Sequence, residues 1–106
     1  MKIIIKPLSV NDAWQGKRFK SKAYKAYENE IIPKLPELKV PNCNIELEIT
    51  FGFSNSASDI DNPAKPFIDC LQKKYKFNDN QIYKLVLYKE IVKKGEEFIN
   101  FDIKEF

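Results

Sequence analysis

Acidic residues in the middle of the chain are spaced so that several could meet at one point. Asp59 and Asp61 are two positions apart, and side chains at i and i+2 of an extended segment point to the same side. Asp79 follows after a predicted helix, and a strand running back along the sheet would return it to the pair. Three carboxylates offer the hard oxygen ligands that Mg²⁺ or Mn²⁺ accepts. This pattern predicts a metal site for attack on a phosphodiester.

A lysine and a predicted helix start come directly after the acidic pair. Lys65 lies four residues beyond Asp61 and four before Asp69, so it shares a helical face with Asp69. The helix N-terminus favours an anionic phosphate, and Lys65 could neutralise the charge that develops on it. The same segment also fits a plain helix cap, in which Asp61 or Asn62 accepts backbone N–H groups. The spacing alone leaves both interpretations open.

A basic segment with interleaved aromatic residues lies nearer the N-terminus. Its five cations precede the first acid of the predicted helix, Glu28, and are Lys17, Arg18, Lys20, Lys22 and Lys25. Cations with stacking rings suit a nucleic-acid backbone and unpaired bases. The alternative is a solvated face whose rings lie in the core, and for Tyr24 and Tyr27 we favour that alternative.

Hydrophobic periodicity predicts one α+β domain over residues 1–106, a small mixed sheet with two packed helices in the order β-α-β-α-β-β. The clearest element is a strand at 43–53, where six apolar residues alternate with polar ones, including Glu46 and Glu48. The other strands are predicted at 1–6, 82–92 and 97–105, the last two as a hairpin, and 8–19 as a loop. One helix is capped by Ser21 and stops at Pro33, and the other has Pro63 at its first position.

Composition excludes several classes of function. With 106 residues and 43% hydrophobic side chains, the chain can form one domain with a small core. It has no histidine, which excludes Ser-His-Asp and Cys-His catalysis and any zinc site that needs His. Cys43 and Cys70 form no metal-binding pair and are expected to be reduced thiols. The first residues, MKIIIKP, contain too few apolar side chains for a signal peptide or a membrane span, so we expect a cytoplasmic protein.

At its acidic segment the chain resembles the RusA family of Holliday-junction resolvases, found largely in prophages. The family signature is Asp-x-Asp-Asn followed by Lys and Asp, and then Asp-x-Gln after a helix. Here it is carried by Asp59-Ile60-Asp61-Asn62, Lys65, Asp69 and Asp79-Asn80-Gln81. The family's N-terminal stretch is matched by Pro7, Ser9, Asn11 and Trp14. Many relatives have two adjacent acids before the Gln, whereas here Asn78 precedes Asp79.

The resemblance implies a homodimeric, Mg²⁺-dependent endonuclease that binds four-way DNA junctions and nicks two strands symmetrically. It implies that Asp59, Asp61 and Asp79 are the catalytic, metal-binding carboxylates, that Lys65 acts at the phosphate and that Asp69 supports them. A small core with surplus apolar strand surface also favours a dimer. The alternatives are a module that binds branched DNA without cutting it, and a structural or interaction protein.

Overall fold

The computed structural model describes residues 1–9, 11, 14–15 and 19–106, and for residues 14, 15 and 19 it describes the backbone only. Two helices, α1 and α2, span Lys22–Ile31 and Ala64–Tyr75. The strands are β1 (Lys2–Ile3), β2 (Trp14–Gln15), β3 (Phe19–Lys20), β4 (Ile45–Phe53), β5 (Ile82–Ile91) and β6 (Phe98–Glu105). Short 3₁₀ helices occupy Ile32–Lys34 and Asp79–Gln81.

Strand β4 forms the centre of a mixed four-stranded sheet in the order β1-β6-β4-β5. Strand β5 is parallel to β4 and β6 is antiparallel to it. Along β4, Leu47, Ile49 and Phe51 are fully buried while Glu46 and Thr50 lie on the other, half-buried face. The predicted α+β class is therefore confirmed, and so is the alternation from Ile45 onward. The predicted start at residue 43 is wrong, because Cys43 is exposed and precedes the strand.

The predicted pairing of the last two strands as a hairpin is wrong. Both strands exist, but β5 and β6 lie on opposite sides of β4 and each pairs with it. The connection between them passes the end of β4, where the Val92 N–H donates to the Phe53 carbonyl at 2.7 Å. Because α2 carries the chain back along the sheet, β4-α2-β5 is a parallel unit, and β6 takes the remaining edge of the apolar central strand.

The N-terminal expectations are partly corrected as well. The strand predicted at 1–6 is limited to β1, because only Lys2 and Ile3 pair with β6, although Ile5 is also buried. The predicted loop at 8–19 contains β2 and the first residue of β3, and these two strands pair over two residues. The Ser21 cap is confirmed, since its hydroxyl oxygen accepts the Tyr24 N–H at 3.1 Å.

Each helix contributes one apolar face to the core, which also contains the buried side chains of β4. Phe67 of α2 lies edge-on to Phe51 and Phe101, with ring centroids 6.2 and 5.5 Å away. Burying a side chain of this size contributes about 1.5–3 kcal/mol, which makes Phe67 a main anchor of α2. Both cysteines are free, and burial raises the pKa of Cys70 to about 12, so that its thiol stays protonated. Among the described residues, no helix is long and apolar enough to cross a membrane.

Candidate active site

A cleft of about 490 Å³ follows α2 beside the first residues of β5. Its polar lining consists of Asp61, Lys65, Asp69 and Asp79, and β5 contributes Ile82, Tyr83 and Leu85. Three of the four residues that the sequence marks as catalytic thus share one surface with Asp69. The cleft combines carboxylates, one cation and an apolar wall.

Asp69 accepts hydrogen bonds from three side chains along this cleft. Its Oδ2 accepts the Tyr24 hydroxyl at 3.2 Å, while its Oδ1 lies 3.5 Å from Lys65 Nζ and 3.4 Å from Gln72 Nε2. Gln72 continues the chain of contacts, because its Oε1 accepts the Asp79 N–H at 2.9 Å. Burial, followed by the nearby Asp69 charge, raises the pKa of Tyr24 well above its ordinary value, so its hydroxyl remains a donor. Asp69 therefore orients the cation of the cleft and, through Gln72, the segment that carries Asp79.

Asp59 faces a second, neighbouring cavity of about 440 Å³ whose lining includes Lys6, Asn55 and Glu97. Its Oδ2 accepts the Asn62 side-chain amide at 3.3 Å. The loop before it is held by Lys89 of β5, whose Nζ donates to the carbonyls of Ser56, at 2.8 Å, and Ser58. The edge strand thus positions the loop that leads into the acidic segment.

The direction of β5 decides where Asp79 lies. Because β5 is parallel to β4, Asp61 precedes α2 at one end of the sheet and Asp79 precedes β5 at the other end. A helix of 12 residues spans about 18 Å. In the described part of the chain, no three His, Cys, Asp or Glu side chains are close enough to hold a metal ion. The donor types suit Mg²⁺, but within one chain they do not converge, and the three-carboxylate ligand set stays a prediction.

Comparison with protein families gives the decisive match. The family model described as endodeoxyribonuclease RusA matches residues 9–100 of the 106-residue chain. The chain belongs to the RusA family. Membership confirms the resemblance and supports the activity of an endonuclease that resolves Holliday junctions. No curated protein matches the chain.

In this RusA-family chain the helix-cap interpretation of Asp61 and Asn62 is wrong. Helix α2 begins at Ala64 with Pro63 at the cap position, and no side chain accepts a hydrogen bond there. The Asp61 backbone carbonyl accepts the Ala64 N–H at 3.1 Å, which leaves the Asp61 carboxylate to face the cleft. Pro63, which the sequence predicts as the first helical residue, lies one position earlier, at the cap.

The structure describes three of the five cations in the basic segment of this RusA-family chain. Lys17 and Arg18 lie outside the described residues. Lys20 Nζ donates to both carboxylate oxygens of Glu28 at 3.1 Å and lies 4.9 Å from the Tyr24 ring centre. Lys22 and Lys25 are exposed on α1.

Sequence reasoning missed two positioning residues. Glu28 is a buried acid that forms ion pairs with Lys20 and with Lys73 of α2. The distance from its Oε2 to the Lys73 Nζ is 3.4 Å. Gln72 lies three residues after Asp69, and that helical spacing is the signal that could have indicated its contact. Tyr24 and Tyr27 are buried in the core, as expected.

Proposed function

We propose that this RusA-family chain is a cytoplasmic, Mg²⁺-dependent endodeoxyribonuclease that nicks two strands of a four-way junction symmetrically. The observation that carries the proposal is the cleft in which Lys65 lies with Asp61 and Asp79. Family membership supplies the substrate class, branched DNA, and the exposed acids and cation supply groups suited to hydrolysis of a phosphodiester.

In this proposal each cleft residue has a distinct role. Lys65 is 62% exposed at its side chain and held on one side by Asp69, so its remaining donors are available to a phosphate. Asp59, Asp61 and Asp79 are the carboxylates proposed to hold the metal, with Mn²⁺ as a possible substitute. A bound divalent ion would supply charge neutralisation at the phosphate and an acidified water. Asp69 acts as a positioning residue for Lys65.

Positive charge outside the cleft is proposed to hold the DNA backbone. Lys22 and Lys25 lie exposed on α1, and Lys17 and Arg18 precede them in sequence. Phosphate contacts of this kind contribute affinity and orientation without chemistry. Lys20 is also positively charged, but its ammonium group forms an ion pair with the Glu28 carboxylate.

The functional unit is proposed to be a homodimer. Apolar side chains remain exposed along β5 and just after β6, namely Tyr83, Leu85, Tyr88, Ile91 and Phe106. A two-fold dimer would bury such a surface and would match the symmetry of a four-way junction. Sedimentation at micromolar concentration should therefore give about twice 12.4 kDa, whereas a clean monomer would contradict paired nicking.

The activity is tested with labelled four-way junctions, linear duplex and single strands, each with Mg²⁺ or EDTA. We expect nicking of the junction only, and only with Mg²⁺. Lys65→Met and Asp61→Asn should remove the nicks, while Asp102→Asn, an exposed acid on β6 that pairs with Lys104, should not. Junction binding without product would select the non-catalytic DNA-binding module, and no binding would select a structural protein.

A further inference from the structure

The cavity that Asp59 faces has no part in the proposed hydrolysis beyond that one carboxylate. It holds about 440 Å³ and lies between the N-terminal stretch, the loop after β4 and Glu97. Phe53, Pro7 and Pro63 give its lining apolar surface, and asparagine and serine side chains give it polar groups. Apolar walls with a few polar groups are typical of sites that bind a small ring compound or a cofactor.

Two asparagine side chains bring hydrogen-bonding groups to this cavity. Asn55 Oδ1 accepts the Ala57 N–H at 2.8 Å, which fixes the carboxamide and leaves its Nδ2 as a donor. Asn62 Nδ2 donates to Asp59 Oδ2 at 3.3 Å, which leaves its Oδ1 as an acceptor. Among the residues that the structure describes, none bonds to either remaining group. The cavity therefore offers one amide donor and one amide acceptor, and the edge of a nucleobase carries the complementary groups.

The loop that carries Asn55 is held in place by the protein itself. Lys89 Nζ donates to the Ser56 carbonyl at 2.8 Å and to the Ser58 carbonyl. The Ser58 N–H donates to the Asn55 carbonyl at 3.3 Å. A site that is ordered before binding loses less conformational entropy when its ligand arrives. The Asn55 carboxamide is thus positioned in advance.

Charge at the cavity favours a neutral group over a phosphate. Asp59 and Glu97 contribute two carboxylates to the lining and Lys6 contributes one cation. Glu97 is fixed at this wall, because its Oε2 accepts the Ser54 hydroxyl at 2.9 Å. The excess negative charge repels a phosphate, whereas a neutral base is not repelled.

We propose that this cavity receives an unstacked nucleobase of the DNA, adjacent to the phosphate that is cut. The inference rests on the proposed nuclease function. Asp59 faces the cavity, whereas Asp61 faces the cleft with Lys65. A strand whose cut phosphate lies at this acidic pair therefore has a neighbouring nucleotide beside the cavity. Asn55 and Asn62 contact the edge of its base.

The fluorescent adenine analogue 2-aminopurine measures the entry of a base without any cleavage. Its emission is weak when it is stacked in a duplex and rises when it is unstacked. The analogue is placed at one nucleotide at a time on either side of the crossover of a four-way junction, and emission is recorded with saturating protein in EDTA. We expect the wild-type protein to raise the emission at one position next to the crossover.

A charge-matched pair of variants tests whether the cavity holds that base. Asn55→Asp removes the amide donor, while its Oδ1 can still accept the Ala57 N–H that orders the loop. Asn44→Asp is the control, because it adds the same charge at an exposed residue before β4, at the other end of that strand from the loop. Asn55→Asp should lose the rise in emission and Asn44→Asp should keep it. Ala57→Phe, which places a larger side chain at the cavity, should lose it as well.

A junction that lacks the base opposite the probe adds a measurement of affinity. Extruding a base is less costly when it has no pairing partner. We expect the wild-type protein and Asn44→Asp to bind this junction about tenfold more tightly than the fully paired one. Asn55→Asp should bind the two junctions equally, because it does not hold the extruded base.

The outcomes separate this proposal from the nuclease function. No rise in emission at any position, or a rise that persists in Asn55→Asp and Ala57→Phe, would overturn the base site and leave nicking with Mg²⁺ as a separate result. A rise that depends on Asn55, in a protein that never nicks junctions with Mg²⁺, would overturn the nuclease function and leave the base site standing. Thermal unfolding checks that the variants are folded, and if Asn55→Asp is not, Ala57→Phe decides.

Discussion

Replacing Lys20 with alanine should destabilise the protein more than the same change at Lys22 or Lys25. Lys20 Nζ donates to both oxygens of Glu28 at 3.1 Å and lies 4.9 Å from the centre of the Tyr24 ring. Lys22 and Lys25 are exposed on α1, the helix that carries Glu28. The change at Lys20 therefore removes a contact between β3 and α1 as well as a positive charge.

The size of the effect follows from how far the pair is buried. The Glu28 side chain is 8% exposed and that of Lys20 is 36% exposed, so the pair lies between an exposed ion pair, worth about 0.2–1 kcal/mol, and a buried one, whose disruption costs about 3–5 kcal/mol. Lys73, whose Nζ lies 3.4 Å from Glu28, still neutralises part of the charge that is left. We expect a loss of about 1–2 kcal/mol, which lowers the Tm of a domain this size by roughly 5–10 °C.

Thermal and urea unfolding of Lys20→Ala, Lys22→Ala and Lys25→Ala measure this difference directly. The last two are matched controls because each removes one lysine from the same basic segment. A double-mutant cycle of Lys20→Ala with Glu28→Gln should show coupling between the two side chains. If Lys20→Ala unfolds at the wild-type midpoint, the stabilising role assigned to the ion pair between Lys20 and Glu28 is wrong.

Three further predictions address DNA contact, the cleft and pH. Replacing both Lys22 and Lys25 with Ala should reduce the slope of log affinity against log salt by roughly 1–2, as measured in junction-binding titrations, and an unchanged slope would make them plain solvated lysines. Asp61→Asn should leave metal-free junction affinity equal or higher, since like-charge repulsion is relieved, and weaker binding would argue against a cleft that faces DNA. Hydrogen bonds from its own backbone N–H and from Ser54 hold the pKa of Glu97 below its ordinary value of 4.5. The ionised Glu97 carboxylate therefore stabilises the folded protein above that pH, and this stabilisation is lost in acid. Glu97→Gln should accordingly lower the Tm at pH 7, and the Tm values of the variant and the wild type should converge below pH 4.5.

Local patterns in the sequence determined the elements that carry their own signal. The alternation at 43–53 identified the central strand because period two puts one face in the core, as Leu47 and Phe51 show. Ser21 marked the start of α1, since its side chain satisfies a backbone N–H of the first turn. The spacing of acids and Lys65 around α2 identified the polar residues that line the cleft, except that Asp59 lies at the neighbouring cavity.

The tertiary structure alone decided which strands pair and where the acids lie. Strand partners depend on which apolar edges are left to bury, so the sequence pattern predicted β5 and β6 but not their places on either side of β4. The parallel direction of β5 placed Asp79 at the opposite end of α2 from Asp61, which spacing along the chain does not encode. Lys20 shows the same limit, because its partner Glu28 is recognisable as buried only once α1 and α2 are packed together. A side chain's type and local spacing restrict what it can do, and the packing of distant segments selects which of those roles it takes.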